Sequence, residues 1–263
     1  MYGAIIGDIV GSRFEFSNIK TKEFELFADK CEATDDSIMT IAIADAILKC
    51  NGDYTDLSKL AAKSMRNIGQ HYPRCGYGGR FFDWMYGAIQ GPYNSFGNGA
   101  AMRVSACGWA AGSLEEAKEM ARKVTEVTHN HPEGIKGAEA VASIIYMIGW
   151  HHQNKQDIRK YVNDHYYDLN FTIDEIRPTY KFNETCQETV PQAIECFLEA
   201  NDFEDAIRTA VSLGGDSDTL AAITGSIAGV YWPIPGWMKE KARKYLDDDL
   251  KRILDAFMAR YEE

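Results

Sequence analysis

Two stretches of this chain are apolar almost all the way round a helical turn: residues 38–48, IMTIAIADAIL, and residues 220–231, LAAITGSIAGVY. A helix without a polar face does not sit on a protein surface, so both belong in the middle of a helical bundle. The second carries Ala221, Gly225 and Gly229 at four-residue spacing, and the first carries Ala42 and Ala46 in the same way. Residues four apart share a helix face. Each ridge therefore offers a surface without side-chain bulk, where a neighbouring backbone can come close.

The rest of the chain supplies amphipathic helices to surround them. Ala117, Met120, Ala121, Val124 and Val127 trace one face, and Ser113 and Glu116 form an S-x-x-E capping box ahead of it. A second helix is expected from Pro132, a favoured first-turn residue, with Ile135, Ala138, Val141, Ile145 and Ile148 on its inner face. Others are expected to start at Pro191, near residue 203 and at residue 248. No β-branched alternation or hairpin dipeptide suggests strands. No linker, repeat or low-complexity segment divides the chain. Residues 71–99, rich in glycine and aromatics, read as loops with at most one short helix. The expectation is all-α, a single compact helical domain over residues 1–263.

Each apolar helix is preceded by an acidic cluster: Thr34, Asp35, Asp36 and Ser37 before the first, Asp216, Ser217, Asp218 and Thr219 before the second. The start of a buried helix is a costly place for a bare carboxylate unless it caps the helix or meets a cation. Capping accounts for one Asp or Thr per helix. Two aspartates and a threonine, twice, exceed that need, although caps on two unrelated helices remain the plain alternative. Hard oxygen donors in this number suit Mg2+, Mn2+ or Ca2+ rather than Zn2+. Four carboxylates and two hydroxyls are enough for a dinuclear metal site at the starts of the two central helices.

Several other residues carry chemistry. Glu15 lies between Phe14 and Phe16, where aromatic neighbours would raise its pKa; a solvated loop glutamate is the bland reading. Asp8 reads as a buried hydrogen-bonding group rather than a catalyst. Gly97, Asn98 and Gly99 lead into a helix and expose amides that suit a phosphate, a weak signal that a plain turn explains equally. His129 and His131 stand at a helix start, with capping and loop packing as the alternative to a functional role.

The net charge of −11 and pI near 5.1 exclude general binding to nucleic acid or anionic lipid. No segment approaches the length of a membrane span, and the N-terminal stretch lacks the basic region of a signal peptide. Six cysteines without C-x-x-C or zinc spacing read as free thiols in a reducing compartment, hence a cytoplasmic location.

Six segments, in order from residue 3 to residue 232, resemble the motif set of the ADP-ribosylglycohydrolases, the group related to the dinitrogenase-reductase-activating glycohydrolase: GAIIGDIVGSRFEF, ATDDSIMTIAIADAIL, GNGAAMRVS, THNHPEG, TVPQAIECFLEA and GGDSDTLAAITGSIAGVYW. The resemblance implies an all-α fold with two divalent cations, Mg2+ or Mn2+, at the base of an ADP-ribose cleft. It places the metal ligands on Thr34, Asp35, Asp36, Asp216, Asp218 and Thr219, and the catalytic acid/base on Glu15. It places substrate contacts on Gly97, Asn98, Gly99 and His129. Ser37 and Ser217 stand where the family often has threonine, and both keep a hydroxyl. The implied reaction is hydrolysis of the N- or O-glycosidic bond at the anomeric carbon, on an ADP-ribosylated protein or small ADP-ribose conjugate. A non-catalytic ADP-ribose binder or crystallin-like relative, and a metal-dependent phosphohydrolase, are the alternatives from other classes.

Overall fold

The computed structural model describes residues 1–261, and among them the regular structure is helical. In chain order the α-helices are α1 (Tyr2–Ser12), α2 (Asp35–Cys50), α3 (Leu57–Gly69), α4 (Gly79–Met85) and α5 (Gly99–Met102). They continue with α6 (Ser105–Ala110), α7 (Leu114–Thr125), α8 (Pro132–His151), α9 (Lys155–His165) and α10 (Ile173–Ile176). The last five are α11 (Cys186–Glu199), α12 (Phe203–Leu213), α13 (Ser217–Tyr231), α14 (Gly236–Arg243) and α15 (Asp248–Tyr261). One contiguous apolar core unites residues from α1 through α15 in a single compact domain. No helix among the described residues is long and apolar enough to cross a membrane.

Both apolar stretches lie inside the bundle, as expected. Helix α13 is buried from Ser217 to Ala228, and α2 is buried at nearly every position from Asp36 to Ile47. The close neighbour of the α13 ridge is α1, which packs along it and also touches α2. The contact is between backbones. A methyl group at Gly3 would overlap the carbonyl of Gly225, one at Gly7 the carbonyl of Ala221, and one at Gly11 the carbonyl of Ser217. Ile5, Ile6, Ile9 and Val10 on the other faces of α1 are fully buried, each contributing about 2 kcal/mol of apolar burial. The Gly3-x3-Gly7-x3-Gly11 pattern is therefore a further small-residue ridge that matches the one on α13.

Local signals hold with two adjustments. Ser113 caps α7 by accepting from Glu116 N–H at 3.1 Å, but the Glu116 carboxylate accepts from Gly112 N–H at 2.7 Å rather than from Ser113. Helix α11 starts at Cys186, ahead of the expected start, and Pro191 is inside it. A proline this near a helix start removes one intrahelical bond, which the buried neighbours Val190, Ala193 and Ile194 offset through packing. The glycine-rich stretch contains one short helix, α4.

Gly7→Ala should lower unfolding stability by about 3 kcal/mol, the upper end of core overpacking, because the clash is with backbone that cannot rotate away. Gly236→Ala, where a methyl group meets nothing within 4 Å, should change it by less than about 0.5 kcal/mol. Urea midpoints of the two variants test this contrast, and equal midpoints would exclude a tight α1–α13 contact.

Candidate metal centre and active-site cavity

The starts of α2 and α13 converge, with the end of α1 beside them. Thr34 caps α2 by accepting from Asp36 N–H at 3.3 Å, while its own hydroxyl donates to Asp8 Oδ1 at 2.6 Å. Asp8 also accepts from Thr34 N–H and Ser37 N–H, each at 3.0 Å, and from the Ser37 hydroxyl. Asp8 is thus the hydrogen-bonding group it was expected to be. On the facing helix, Thr219 Oγ1 donates to Asp36 Oδ2 at 3.0 Å, and Asn98 Nδ2 donates to Asp216 Oδ2 at 2.6 Å.

The aspartates do not act as helix caps. Thr34 fills that role on α2, and Asp216, at the cap position of α13, makes no side-chain capping bond. Instead their oxygens gather. Oxygens of Asp8, Asp36 and Asp218 lie within 4.8 Å of one another, as do those of Glu15, Asp216 and Asp218, so Asp218 belongs to both groups. Asp36 Oδ1 is buried without a hydrogen-bond partner. An orphaned buried carboxylate oxygen facing other carboxylates is the donor that a hard divalent cation satisfies, so the residues fit such an ion. Asp35 stands apart from both triads; its amide donates to Cys75 carbonyl at 2.8 Å and its side chain faces Gly76 in the cavity wall.

Glu15, Asp35, Asp36, Asp216, Asp218 and Thr219 line one part of a cavity of about 280 Å³. Asn98, Gly97, Gly99, His129, Arg80 and Arg103 line other parts of it. Two amides of the glycine loop are already bonded: Gly97 N–H donates to Ser95 Oγ at 3.1 Å and Asn98 N–H to Glu184 carbonyl at 2.7 Å. Asn98 contributes its side chain to Asp216. The two histidines divide. His131 caps α8, its Nδ1 accepting from Glu133 N–H at 3.1 Å, whereas His129 is buried in the cavity lining.

Burial dominates the electrostatics. Asp35, Asp36 and Asp218 are held well above the ordinary carboxylate range, by burial first and then by neighbouring carboxylates. Asp8 is raised to about 6 by burial, against hydrogen bonds from Ser37 and Thr34. Glu15 is raised to about 7 by burial, Asp216 and Glu184. The aromatic cage read from its sequence neighbours is only half present, since Phe14 is buried but Phe16 is 84% exposed and stacks on Phe182.

Sequence reasoning missed Asn18. Its Nδ2 donates to Phe14, Glu15 and Gly215 carbonyls at 2.7, 3.0 and 2.9 Å, and its Oδ1 accepts from Gly215 N–H at 2.7 Å. The Glu15 turn is thereby tied to the loop that delivers Asp216 and Asp218. That loop turns through Gly214 and Gly215 at φ +73° and +74°, a conformation that side chains rarely adopt. The successive glycines in the sequence signalled the turn; nothing in the sequence signalled its partner 197 residues away.

The sequence model of the ADP-ribosylglycohydrolase family matches residues 1–263. Human ADP-ribosylhydrolase ARH3 is 22% identical over 94% of this chain and 89% of its own length. The ADP-ribosyl-(dinitrogen reductase) glycohydrolase of Rhodospirillum rubrum is 24% identical over 66% of this chain and 60% of its own. A solved structure, an ADP-ribosylglycohydrolase-related protein complex, shares the fold with a TM-score of 0.70 over 98% of this chain and 96% of that one, at 20% identity.

An acid whose pKa is higher folded than unfolded binds more protons when folded, so stability falls as pH rises between the two values. The window runs from 3.8 to about 6 for Asp8 and from 4.5 to about 7 for Glu15. In EDTA the melting temperature should therefore fall between about pH 4 and 7. Millimolar Mg2+ or Mn2+ should raise it more at the upper end, where the cluster is ionised. Calorimetric scans across that range, with and without the ion, measure both effects; a cation effect independent of pH would disconnect binding from these carboxylates.

Proposed function

Because the chain belongs to the ADP-ribosylglycohydrolase family, we propose that it is a hydrolase dependent on two divalent cations, Mg2+ or Mn2+, that cleaves the N- or O-glycosidic bond at the anomeric carbon of ADP-ribose. The products are ADP-ribose and the acceptor, a modified protein or a small conjugate. Family membership supports glycohydrolase-type activity on ADP-ribose conjugates. The observation that carries the finer reading is Asp218, shared by two carboxylate triads beside the orphaned oxygen of Asp36.

In this reading Asp8, Asp36 and Asp218 would hold one cation, and Glu15, Asp216 and Asp218 would face the other. Thr34, Thr219 and Asp35 complete the surroundings. Bound divalent ions supply polarisation of a water and orientation of ribose hydroxyls. Glu15 handles the proton. With its pKa about 7, the carboxyl is poised between its two forms at neutral pH, the condition for general acid–base work. The bond from the anomeric carbon to the acceptor atom breaks, water adds its oxygen there, and its proton is passed to the acceptor. The transition state has oxocarbenium character, as in other glycoside hydrolysis. Asn98 fixes Asp216 by its side chain, and Asn18 keeps the Glu15 turn in register with that aspartate. The Gly97–Gly99 loop and His129 would face the diphosphate, with Asn98 of that loop bonded to Asp216.

The defining assay is ADP-ribose release from a panel of ADP-ribosylated proteins and small conjugates, in Mg2+ or Mn2+ and again in EDTA. Release from at least one substrate, abolished by EDTA, is expected; tight metal and ADP-ribose binding without release from any substrate would favour a binding role. Asp218→Ala should reduce both metal affinity and turnover by at least about a hundredfold, more than loss of an outer-shell partner costs. Full metal-dependent turnover in that variant would exclude the two-cation site.

Glu15→Gln separates proton transfer from ligation. Its kcat should fall by about 10² to 10⁴ and lose the pH limb near 7, with metal affinity by calorimetry changing less than tenfold. A large loss of metal affinity with an unchanged pH profile would instead make Glu15 a ligand.

A further inference from the structure

We propose that Thr128, held by the buried Arg103, fixes His129 as the neutral tautomer with its proton on Nε2, so that the ring presents a hydrogen-bond donor to the ligand in the cavity. This inference rests on reading the cavity as an ADP-ribose site, because the diphosphate oxygens only accept hydrogen bonds.

The geometry selects the tautomer. Thr128 Oγ1 and His129 Nδ1 are 2.7 Å apart, and either atom could carry the shared proton. Arg103 Nη2 donates to the same hydroxyl oxygen at 2.7 Å. Arg103 has no acceptor atoms on its side chain, so this contact occupies a lone pair of Thr128 and leaves the hydroxyl proton to be placed elsewhere. Its only other acceptor is the carbonyl of Thr125, at 3.4 Å. That carbonyl already accepts from Thr128 N–H at 3.1 Å and His129 N–H at 2.8 Å. A hydroxyl donates to a 2.7 Å acceptor in preference to a crowded one at 3.4 Å. Thr128 therefore donates to Nδ1, and Nε2 carries the ring proton.

Arg103 is suited to this task. It is fully buried, stands 5.6 Å over the Phe81 ring, and its Nε has no hydrogen-bond partner among the described residues. The side chain is fixed by packing rather than by a carboxylate. Burial, Arg103 and Arg80 all hold His129 below its ordinary pKa, so the ring stays neutral and donates without charge. Nε2 lies on the side of Gly97 and Gly99, where a Cβ would come within 3.5 and 3.3 Å of it. Both positions lacking a side chain leaves that edge of the ring open to a ligand. Thr128 and Arg103 act through His129 and are positioning residues.

The test is the long-range 1H–15N spectrum of histidine-labelled protein at pH 7 without ligand, with His129 assigned by loss of its signals in His129→Gln. A protonated Nε2 and an unprotonated Nδ1 are expected in the wild type. Thr128→Ser should keep that pattern. Thr128→Val, or Thr128→Ala if valine is not accommodated, should populate the Nδ1–H form and weaken ADP-ribose binding by about tenfold, the loss of one oriented hydrogen bond. A wild-type ring protonated on Nδ1, or an unchanged spectrum in both hydroxyl-free variants, overturns the proposal. An altered tautomer with unchanged ADP-ribose affinity overturns the donor role. The spectra are recorded without ligand, so failure of ADP-ribose to bind at all would count against the functional reading and not against the tautomer.

Discussion

The backbone contact between α1 and α13 is the constraint from which the site follows. Gly7 against the carbonyl of Ala221 leaves no space for a side chain, and that proximity sets where the end of α1 lies. Asp8 then reaches the start of α2, Gly11 meets the start of α13, and the Glu15 turn falls beside Asp216. Larger residues along this seam would push the helices apart by more than a hydrogen bond tolerates. The carboxylates would then no longer share a cavity wall.

Within that wall, magnitudes indicate what the aspartates require. The starts of α2 and α13 both point toward the cluster, and a helix dipole stabilises a nearby carboxylate by about 0.3–1 kcal/mol, up to about 2 when partly buried. Taking one carboxylate out of water costs several kcal/mol even after relaxation. The dipoles and the Thr219 and Asn98 bonds offset part of that for four aspartates and a half-buried glutamate. The remainder is met by protonation or by a cation. Burial and neighbouring carboxylates raise the proton affinity of Asp36 and Asp218, and a divalent ion would meet the same deficit at neutral pH. Asp36 Oδ1, without any partner, is where the deficit is greatest.

The parts of this organisation that rest on local pattern were legible in the sequence. Apolarity all round a turn located α2 and α13 in the interior, and the excess of aspartates over capping need marked their starts as chemical. What depends on tertiary pairing was not legible. Asp8 looked like a structural group and is one, but its carboxylate also shares a triad with Asp36 and Asp218. Asn18 sits in an unremarkable loop, and its four bonds to backbone require a segment from the far end of the chain. Glu15 was read against its sequence neighbours, whereas its proton affinity is governed by burial and by Asp216 and Glu184. The glycine spacing of α1 was visible but unexploited, because a ridge has meaning only beside its partner.

The cavity divides its charges in a way that suits an ion of mixed character. One wall is carboxylate; another carries Arg80, Arg103 and His129 with the Gly97–Gly99 loop. Arg80 donates to the Tyr93 carbonyl at 2.6 Å and lies over that ring, and Arg103 donates to Thr128. Neither arginine forms an ion pair with a carboxylate among the described residues, although the protein carries eleven more acidic than basic charges. Both line the cavity, and after burial they add to the lowering of His129's proton affinity. An ADP-ribose conjugate has the matching polarity, with a ribose whose hydroxyls can enter a cation's coordination sphere at one end and an anionic diphosphate alongside. A strongly acidic protein can therefore accommodate an anionic ligand without a basic surface, provided a few positive groups line the cavity that receives it.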